Sequence, residues 1–482
     1  MEKKVFKNYL FNASYQLLAL IVPLVTTPYI SRVLGASGIG VNSYTYSIVS
    51  YFILCATLGT ATYGNRIFGI LQDNVEERSR RFWDIFLLRV ILSSISLSLY
   101  LIYVCFSAEN KIIALIQGIY ILGAMFDISW FFQGLEEFKK IAIRNYFIKI
   151  INVVCIFVFV KQSEDLWKYI FMLAFLTFIG NLSIWIYIPK YIIKINKYKS
   201  NPFKDFKAII QLFIPTVAVQ IYAILDKSMI GWFTKSSFEN GYYEQSEKIV
   251  KMCLMLITSL STVMIPRISK AFIEKRKQDV LEEIYKSYKF VWFLSVPLML
   301  GLIGIAPIFV PIFFGEGFEK VNILLPIFSL LFITMGLNST TGNQYLITTA
   351  QQNVYTKCII GGGIVNIVLN IFLIPLYQSI GSAIASVAGE LSITVLTMIY
   401  ISRHNQFSIK KIFKLSKKYA LAGIIMFIVI SLLRICMEET AFSLLILIII
   451  GIIIYFSTLL IIKEDFLISG ISIFKRKIKK LM

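Results

Sequence analysis

Seven ionisable side chains interrupt otherwise apolar stretches: Arg89, Asp127, Lys149, Asp226, Lys227, Lys251 and Glu390. At the centre of a lipid-facing helix such a group costs about 2.5–3.5 kcal/mol, so each must pair with another or face a water-filled interior. Arg89, Asp127 and Lys149 each lie about six or seven residues in from the same side of consecutive apolar runs. At about 1.5 Å per residue, all three sit roughly 10 Å deep. Two cations and one acid at one level leave a surplus of positive charge. That suits an anionic group such as a phosphate, with Asp127 as counter-ion. The second apolar run carries a polar-aromatic stripe in which Tyr44, Ser47 and Tyr51 share one face, with Ser43 and Ser50 beside it. Aromatic faces with hydroxyls suit sugar rings, and ordinary helix packing explains the stripe equally well. Gly361, Gly362 and Gly363 read as a hinge or, more commonly, as a site of close helix packing.

Other chemistries find no support. The six cysteines are scattered, no Cys-x-x-Cys pair occurs, and His404 is the only histidine, so neither a zinc site nor a disulfide framework is expected. There is no Gly-x-x-x-x-Gly-Lys-Ser/Thr loop, and no cofactor is expected.

The elements that must position these residues are membrane-spanning helices. The 482 residues are 57% hydrophobic and only 16% charged, more apolar surface than a soluble domain hides. A span needs about 20 apolar residues, and about fourteen such runs follow one another. The first two are Tyr9–Ser31 and Val41–Tyr63, the seventh is Phe206–Phe233, the tenth is Val321–Ile347, and the last is Ala441–Ile462. Proline falls inside several, at Pro23, Pro215, Pro297 and Pro307, which neighbouring membrane helices can accommodate. The N-terminal Lys3, Lys4 and Lys7 precede an apolar stretch with no small-residue cleavage site, which reads as a retained first span.

The net charge of +21 falls between apolar runs and on no polar domain, which favours a membrane over nucleic acid. Even-numbered loops are rich in lysine and arginine, as at Arg78, Arg80 and Arg81, at Lys190 to Lys207 (with Lys197 and Lys199), at Arg267 to Lys289 and at Arg403 to Lys418. The tail adds Lys475, Arg476, Lys477, Lys479 and Lys480. Odd loops hold few cations, such as Arg32, Lys111, Lys161 and Lys235. This alternation places both termini in the cytoplasm.

Gly40 to Val49 can be laid on Gly241 to Val250, and Ile150 to Val153 on Ile364 to Ile367. Both shifts equal six spans. They predict two six-helix bundles plus two C-terminal helices, with domains at 1–200, 201–405 and 406–482.

Pro23 to Tyr44 (P-L-V-T-T-P-Y-I-S-R-V-L-G-A-S-G-I-G-V-N-S-Y) resembles the opening of bacterial oligosaccharide-lipid flippases, in the polysaccharide-transporter branch of the multidrug/oligosaccharidyl-lipid/polysaccharide exporter superfamily. Asp127 to Asn145 (D-I-S-W-F-F-Q-G-L-E-E-F-K-K-I-A-I-R-N), Ile221 to Gly231, Pro266-Arg267, Gly342 to Ile347 and Asn366 to Pro375 look like the same family. Thr234 to Asn240 (T-K-S-S-F-E-N) departs from the glycine-rich form expected before Gly241-Tyr242-Tyr243. The resemblance implies an all-α integral membrane fold of about fourteen helices, with two bundles around a central cavity. It also implies export of undecaprenyl-diphosphate-linked oligosaccharide repeat units from the inner to the outer leaflet of the bacterial cytoplasmic membrane, for capsule or O-antigen assembly. The expected partners are that lipid-linked substrate, membrane lipids, and a polysaccharide polymerase with its assembly proteins; nucleic acid is not among them. The candidate substrate-binding residues are Arg32, Tyr44, Ser47, Arg89, Asp127, Lys149, Asp226, Lys227, Lys251 and Glu390. A lipid II flippase shares the anionic lipid substrate. A multidrug exporter of the superfamily fits less well, because a positive cavity is a poor host for cations. A membrane enzyme would call for a sizeable external loop, and none is present.

Overall fold

The computed structural model describes residues 2–194, 200–404 and 406–469. The side chains of residues 2–20 and of positions 214–216, 218, 219, 222, 223 and 262 are outside that description. The side chains of Lys3, Lys4, Lys7 and Pro215, and the whole of Lys197, Lys199 and the basic tail from Lys475 to Lys480, therefore lie outside the description. The described chain is all-helical, with no strand. Among the described residues, twelve helices are long and apolar enough to cross a membrane. The first expected span and most of the second lie on one long helix, and the seventh, on α9, falls outside that count. The chain divides into two compact units, Met1–Gly241 and Tyr242–Met482.

In the first unit α1 (Glu2–Thr57) bends at Gly35, whose φ of 64° a side chain would resist. After the short α2 (Thr60–Ile70), α3 (Val75–Phe106) begins with Asn74 accepting from the Glu77 backbone N–H at 3.0 Å. Glu76 and Glu77 sit in its first turn, where carboxylates favour the helix dipole. The fourth span is built from three pieces, α4 (Lys111–Gln117), α5 (Ile119–Phe126) and α6 (Ser129–Gly134). Then come α7 (Phe138–Phe159), α8 (Leu166–Ser183) with a 3₁₀ continuation Ile184–Lys190, and α9 (Phe206–Thr234). The core at one end is aromatic. Phe82 meets Phe131 edge-on at 5.1 Å, and Phe68, Trp130 and Phe132 complete a buried cluster.

The second unit holds α10 (Ser237–Ile273) from Tyr242 onward, α11 (Lys277–Phe314), α12 (Val321–Ser329) and α13 (Leu331–Asn338). α13 runs into a π-helical stretch, Ser339–Ile347. α14 (Gln352–Tyr377), α15 (Ser379–Arg403), α16 (Ile409–Ile435) and α17 (Ala441–Ile461) follow. α14 packs along α15, and α11 along α16. At Gly362 an added Cβ would stand 2.7 Å from the Gly389 carbonyl oxygen, so this glycine is required for close packing of α14 on α15.

Candidate functional site

The sequence Asp127-Ile128-Ser129 breaks the fourth span. Asp127 takes extended backbone angles between α5 and α6, and its Oδ1 accepts from the Ser129 backbone N–H at 2.9 Å and from the Ser129 hydroxyl. Asp followed two residues later by Ser favours this local turn over a continuous helix. The break strips carbonyls of their helical partners, and inside a membrane each needs another donor. The Asn181 amide donates to Gly123 O at 2.9 Å, Arg89 Nε to Ala124 O at 2.8 Å, Trp185 Nε1 to Phe126 O at 2.8 Å, and Trp130 Nε1 to Asp127 O at 2.9 Å.

This arrangement revises the expected roles of two residues. Arg89 is 2% exposed and caps the broken helix. Its Nη1 has no acceptor among the described residues. Asp127 remains within electrostatic range of Arg89, but the cation at ion-pair distance is Arg144, whose Nη1 is 3.8 Å away. Arg144 also donates to Ser129 Oγ at 2.9 Å and to Asn181 Oδ1 at 3.2 Å. α7 begins at Phe138 and holds Arg144 inside the unit. The signal for its role was the Asp-x-Ser turn, which implies exposed carbonyls and a nearby donor. Lys149, further along α7, is half-buried.

The stripe on the second arm of α1 faces α9. The Ser228 hydroxyl lies at hydrogen-bond distance from Ser47 Oγ, 2.9 Å, and from the Tyr51 hydroxyl, 3.1 Å. The Tyr44 ring lies over Gly231, where a Cβ would come within 2.2 Å of it. Asp226 is buried on α9, and Lys227 beside it is half-buried. The seam tightens toward its end. A Cβ on Gly40 would stand 1.6 Å from Ser237 O, and one on Gly241 would stand 2.0 Å from Ala36 O. Ser37 and Ser237 join by their hydroxyls at 2.7 Å. Gly40 and Gly241, which the sequence alignment above lays on one another, are thus both positions where backbones meet. The Asn240 amide, oriented to donate to Lys227 O at 2.8 Å and accept from Gly231 N at 3.0 Å, ties the start of α10 to α9. Lys235 closes α9 at φ 51°, a conformation glycine would take without strain. Beside the seam opens a polar cavity of about 320 Å³, reached by Tyr44, Glu109, Asn110, Lys235 and Asn240. Arg32 is exposed on the turn of α1 before the Gly35 bend.

In the second unit Glu390 Oε2 accepts from Asn338 Nδ2 at 2.8 Å, and Thr394 Oγ1 donates to Asn338 Oδ1 at 2.8 Å. Lys251 pairs with Glu247 one turn away at 2.7 Å and is half exposed. By these contacts Arg89 and Asp127 belong to the break, and Tyr44 and Ser47 to the seam, with Asp226 and Lys227 on the same helix, α9. Ser228, Gly231 and Asn240 belong to the seam and were not foreseen. Their spacing on α9 and α10 shows their role only once the facing stripe on α1 is known.

The profile of the family described as "Polysaccharide biosynthesis protein" matches residues 5–272. Over 405 residues the chain is 23% identical to the "Putative O-antigen transporter" of Escherichia coli (strain K12), covering 83% of this chain and 97% of that protein. It is 24% identical over 235 residues to "Lipid II flippase MurJ" of Bacillus subtilis (strain 168), 45% of this chain and 42% of that one. A structure of the lipid II flippase MurJ in an inward closed conformation superposes with a TM-score of 0.72 at 20% identity, covering 95% of this chain and 99% of that chain. An inward-facing multidrug resistance MATE family transporter superposes with 0.57 at 12% identity, covering 83% and 99%. These two likenesses show a shared all-α, multi-pass membrane fold. The matched family segment takes in both the broken fourth span and the glycine seam, and the chain belongs to the polysaccharide biosynthesis protein family.

Proposed function

We propose that this protein is a flippase that moves undecaprenyl-diphosphate-linked oligosaccharide repeat units from the inner to the outer leaflet of the bacterial cytoplasmic membrane, for capsule or O-antigen assembly. The observation that carries this reading is the alignment along 97% of the E. coli O-antigen transporter homologue. The physical case agrees with it. A lipid-linked oligosaccharide has a polar, anionic head that cannot cross hydrocarbon unaided. Cations held within the spans would replace its water while the polyprenyl tail stays in lipid. Bundles 1–200 and 201–405 would rock to give alternating access, with 406–482 as an appended pair and both termini cytoplasmic.

In this reading Arg89 presents its Nη1 edge to the diphosphate while its Nε holds Ala124 O, and Lys149 adds a second cation. Tyr44 and Ser47 meet sugar once the seam parts, with Arg32, Asp226, Lys227, Lys251 and Glu390 along the path. The protein acts as a transporter and not as an enzyme, and hands its cargo to a polymerase and assembly proteins.

The test is deletion of the gene. Surface polysaccharide should stop while lipid-linked precursor accumulates on the inner leaflet, and normal surface polymer in a strain with no redundant flippase would refute the proposal. The similarity to a lipid II flippase gives a second reading its footing. Rescue of a strain depleted of its own lipid II flippase would favour that reading.

A further inference from the structure

One end of the second unit holds a cavity of about 590 Å³, walled by α11, by the first turns of α16 and by the chain just after α17. Lysines dominate it. Lys289 comes from α11, and Lys410, Lys411, Lys414 and Lys418 come from α16. The three- and four-residue steps among the last four put them on one face of the helix. Lys411 stands 4.0 Å from the centroid of the Tyr285 ring, and Lys418 donates to Lys463 O at 3.0 Å, so both heads are held in place.

The wall holds two acids against five lysines, which leaves a surplus of positive charge. Glu464 is buried, and its two oxygens are taken by the Tyr419 hydroxyl and the Leu467 backbone N–H, each at 2.8 Å. Asp465 is the other carboxylate of the wall, set against five lysines. The lysines are also misplaced for helix stability. The start of a helix carries partial positive charge and prefers acids, yet α16 has no acid in its first turn. A preference for the cytoplasmic side accounts for the sign of these residues but not for their gathering around one cavity.

Apolar surface flanks the cavity. Phe413 and Leu421 on α16 and Leu460 and Ile461 on α17 are all exposed. A ligand with an anionic head and hydrocarbon chains matches both features, whereas a free anion matches only the first. We propose that this cavity binds the phosphate headgroup of an anionic phospholipid, in the leaflet that the lysine bias marks as cytoplasmic. The proposal does not depend on which cargo the protein carries.

The test uses the full-length purified protein in detergent. Phosphatidylglycerol, phosphatidylcholine and inorganic phosphate are titrated separately, with retained ligand read by native mass spectrometry and unfolding temperature read in parallel. Phosphatidylglycerol should bind and raise the unfolding temperature. The triple variant K289Q/K410Q/K414Q should weaken its binding on the order of tenfold or more, since each lysine near an anionic headgroup adds a several-fold gain. The single variant K414Q should lose a smaller share, and it serves if the triple variant does not fold. K270Q/K275Q/K277Q removes the same charge from exposed positions outside the cavity and should bind phosphatidylglycerol within about twofold of the parent. Equal losses in the two triple variants, or equal binding of phosphatidylcholine, would overturn the site. Inorganic phosphate binding as tightly as the lipid would assign the cavity to a soluble anion and overturn it too.

Discussion

The fourth span of the first unit and the tenth span overall, which the sequence pattern would pair in a repeat of six, are both irregular α-helices. The first is cut at Asp127, and the backbone groups around the cut are capped by side chains of Asn181, Arg89, Trp185 and Trp130. The other stays helical but widens into the π-helical stretch Ser339–Ile347. Around it the contacts are between uncharged groups: Ser261 with Ser339 at 2.7 Å, Gln344 with Ser261 at 2.9 Å, and Tyr288 with Thr341 at 2.7 Å. Glu390 is the acid at its edge, tied to Asn338. The span is thus opened by charge in one unit and by hydroxyls and amides in the other. A cation buried in a span can have backbone carbonyls as its first business, and what identifies a ligand-facing group is a donor left over after those carbonyls are satisfied. Arg89 Nη1 is left without an acceptor among the described residues, which is why the proposed function gives it to the diphosphate.

The largest expected effect concerns what packs the cut. Trp130 is 1% exposed, stacks near Phe82 and Phe68, and donates to Asp127 O. Trp130→Ala should cost about 3–5 kcal/mol, through the cavity it leaves and the carbonyl it frees. Unfolding of the purified variant at the parent temperature would show that the cut holds itself open without the aromatic cluster. A smaller effect separates the two units by charge alone. Asp127→Asn keeps an acceptor for Ser129 but removes the charge facing Arg144, and should cost about 1–3 kcal/mol. Glu390→Gln keeps the acceptor to which Asn338 donates, and should cost no more than the about 1 kcal/mol of an ordinary hydrogen bond. Equal losses in thermal unfolding would erase the contrast between the units.

Much of this was legible in the sequence, because a span is a one-dimensional signal. Runs of apolar residues between basic loops gave an all-α membrane fold, and the described helices follow them. The seam was half legible. Tyr44, Ser47 and Tyr51 fell on one face by spacing, but nothing in that spacing says that Ser228 and Gly231 lie opposite. The depth argument placed Arg89 and Asp127 within electrostatic range of one another but did not foresee Ala124 O and Arg144 as partners, because it assumed an unbroken fourth span. Once α5 ends at Phe126, carbonyls become acceptors, and Arg89 turns to Ala124 while Arg144 turns to the carboxylate side. A helix break inside a membrane changes the demand for donors, and no count of charges along the chain records that.

The smallest effect tests the hydroxyl half of the comparison. Thr341 Oγ1 donates to Leu337 O at 2.8 Å, so its proton is committed, and the Tyr288 hydroxyl must be the donor in the 2.7 Å contact between them. Both side chains are buried. Thr341→Val keeps the shape but removes the acceptor, stranding a buried phenol hydroxyl at a cost of about 1–2 kcal/mol. Tyr288→Phe removes the donor and leaves Thr341 its bond to Leu337, at about 0.5–1 kcal/mol. In the double variant no hydroxyl is stranded, so its loss should fall short of the sum of the single losses. The coupling should be about 0.6 kcal/mol, the usual size for a hydrogen bond between membrane helices, read from unfolding of the four proteins. A coupling above about 2 kcal/mol would make the hydroxyl network as strong as the charged caps, and the two units would then differ in chemistry but not in rigidity. A coupling of zero would leave close packing of α11 on the widened helix as what holds the π-helical stretch.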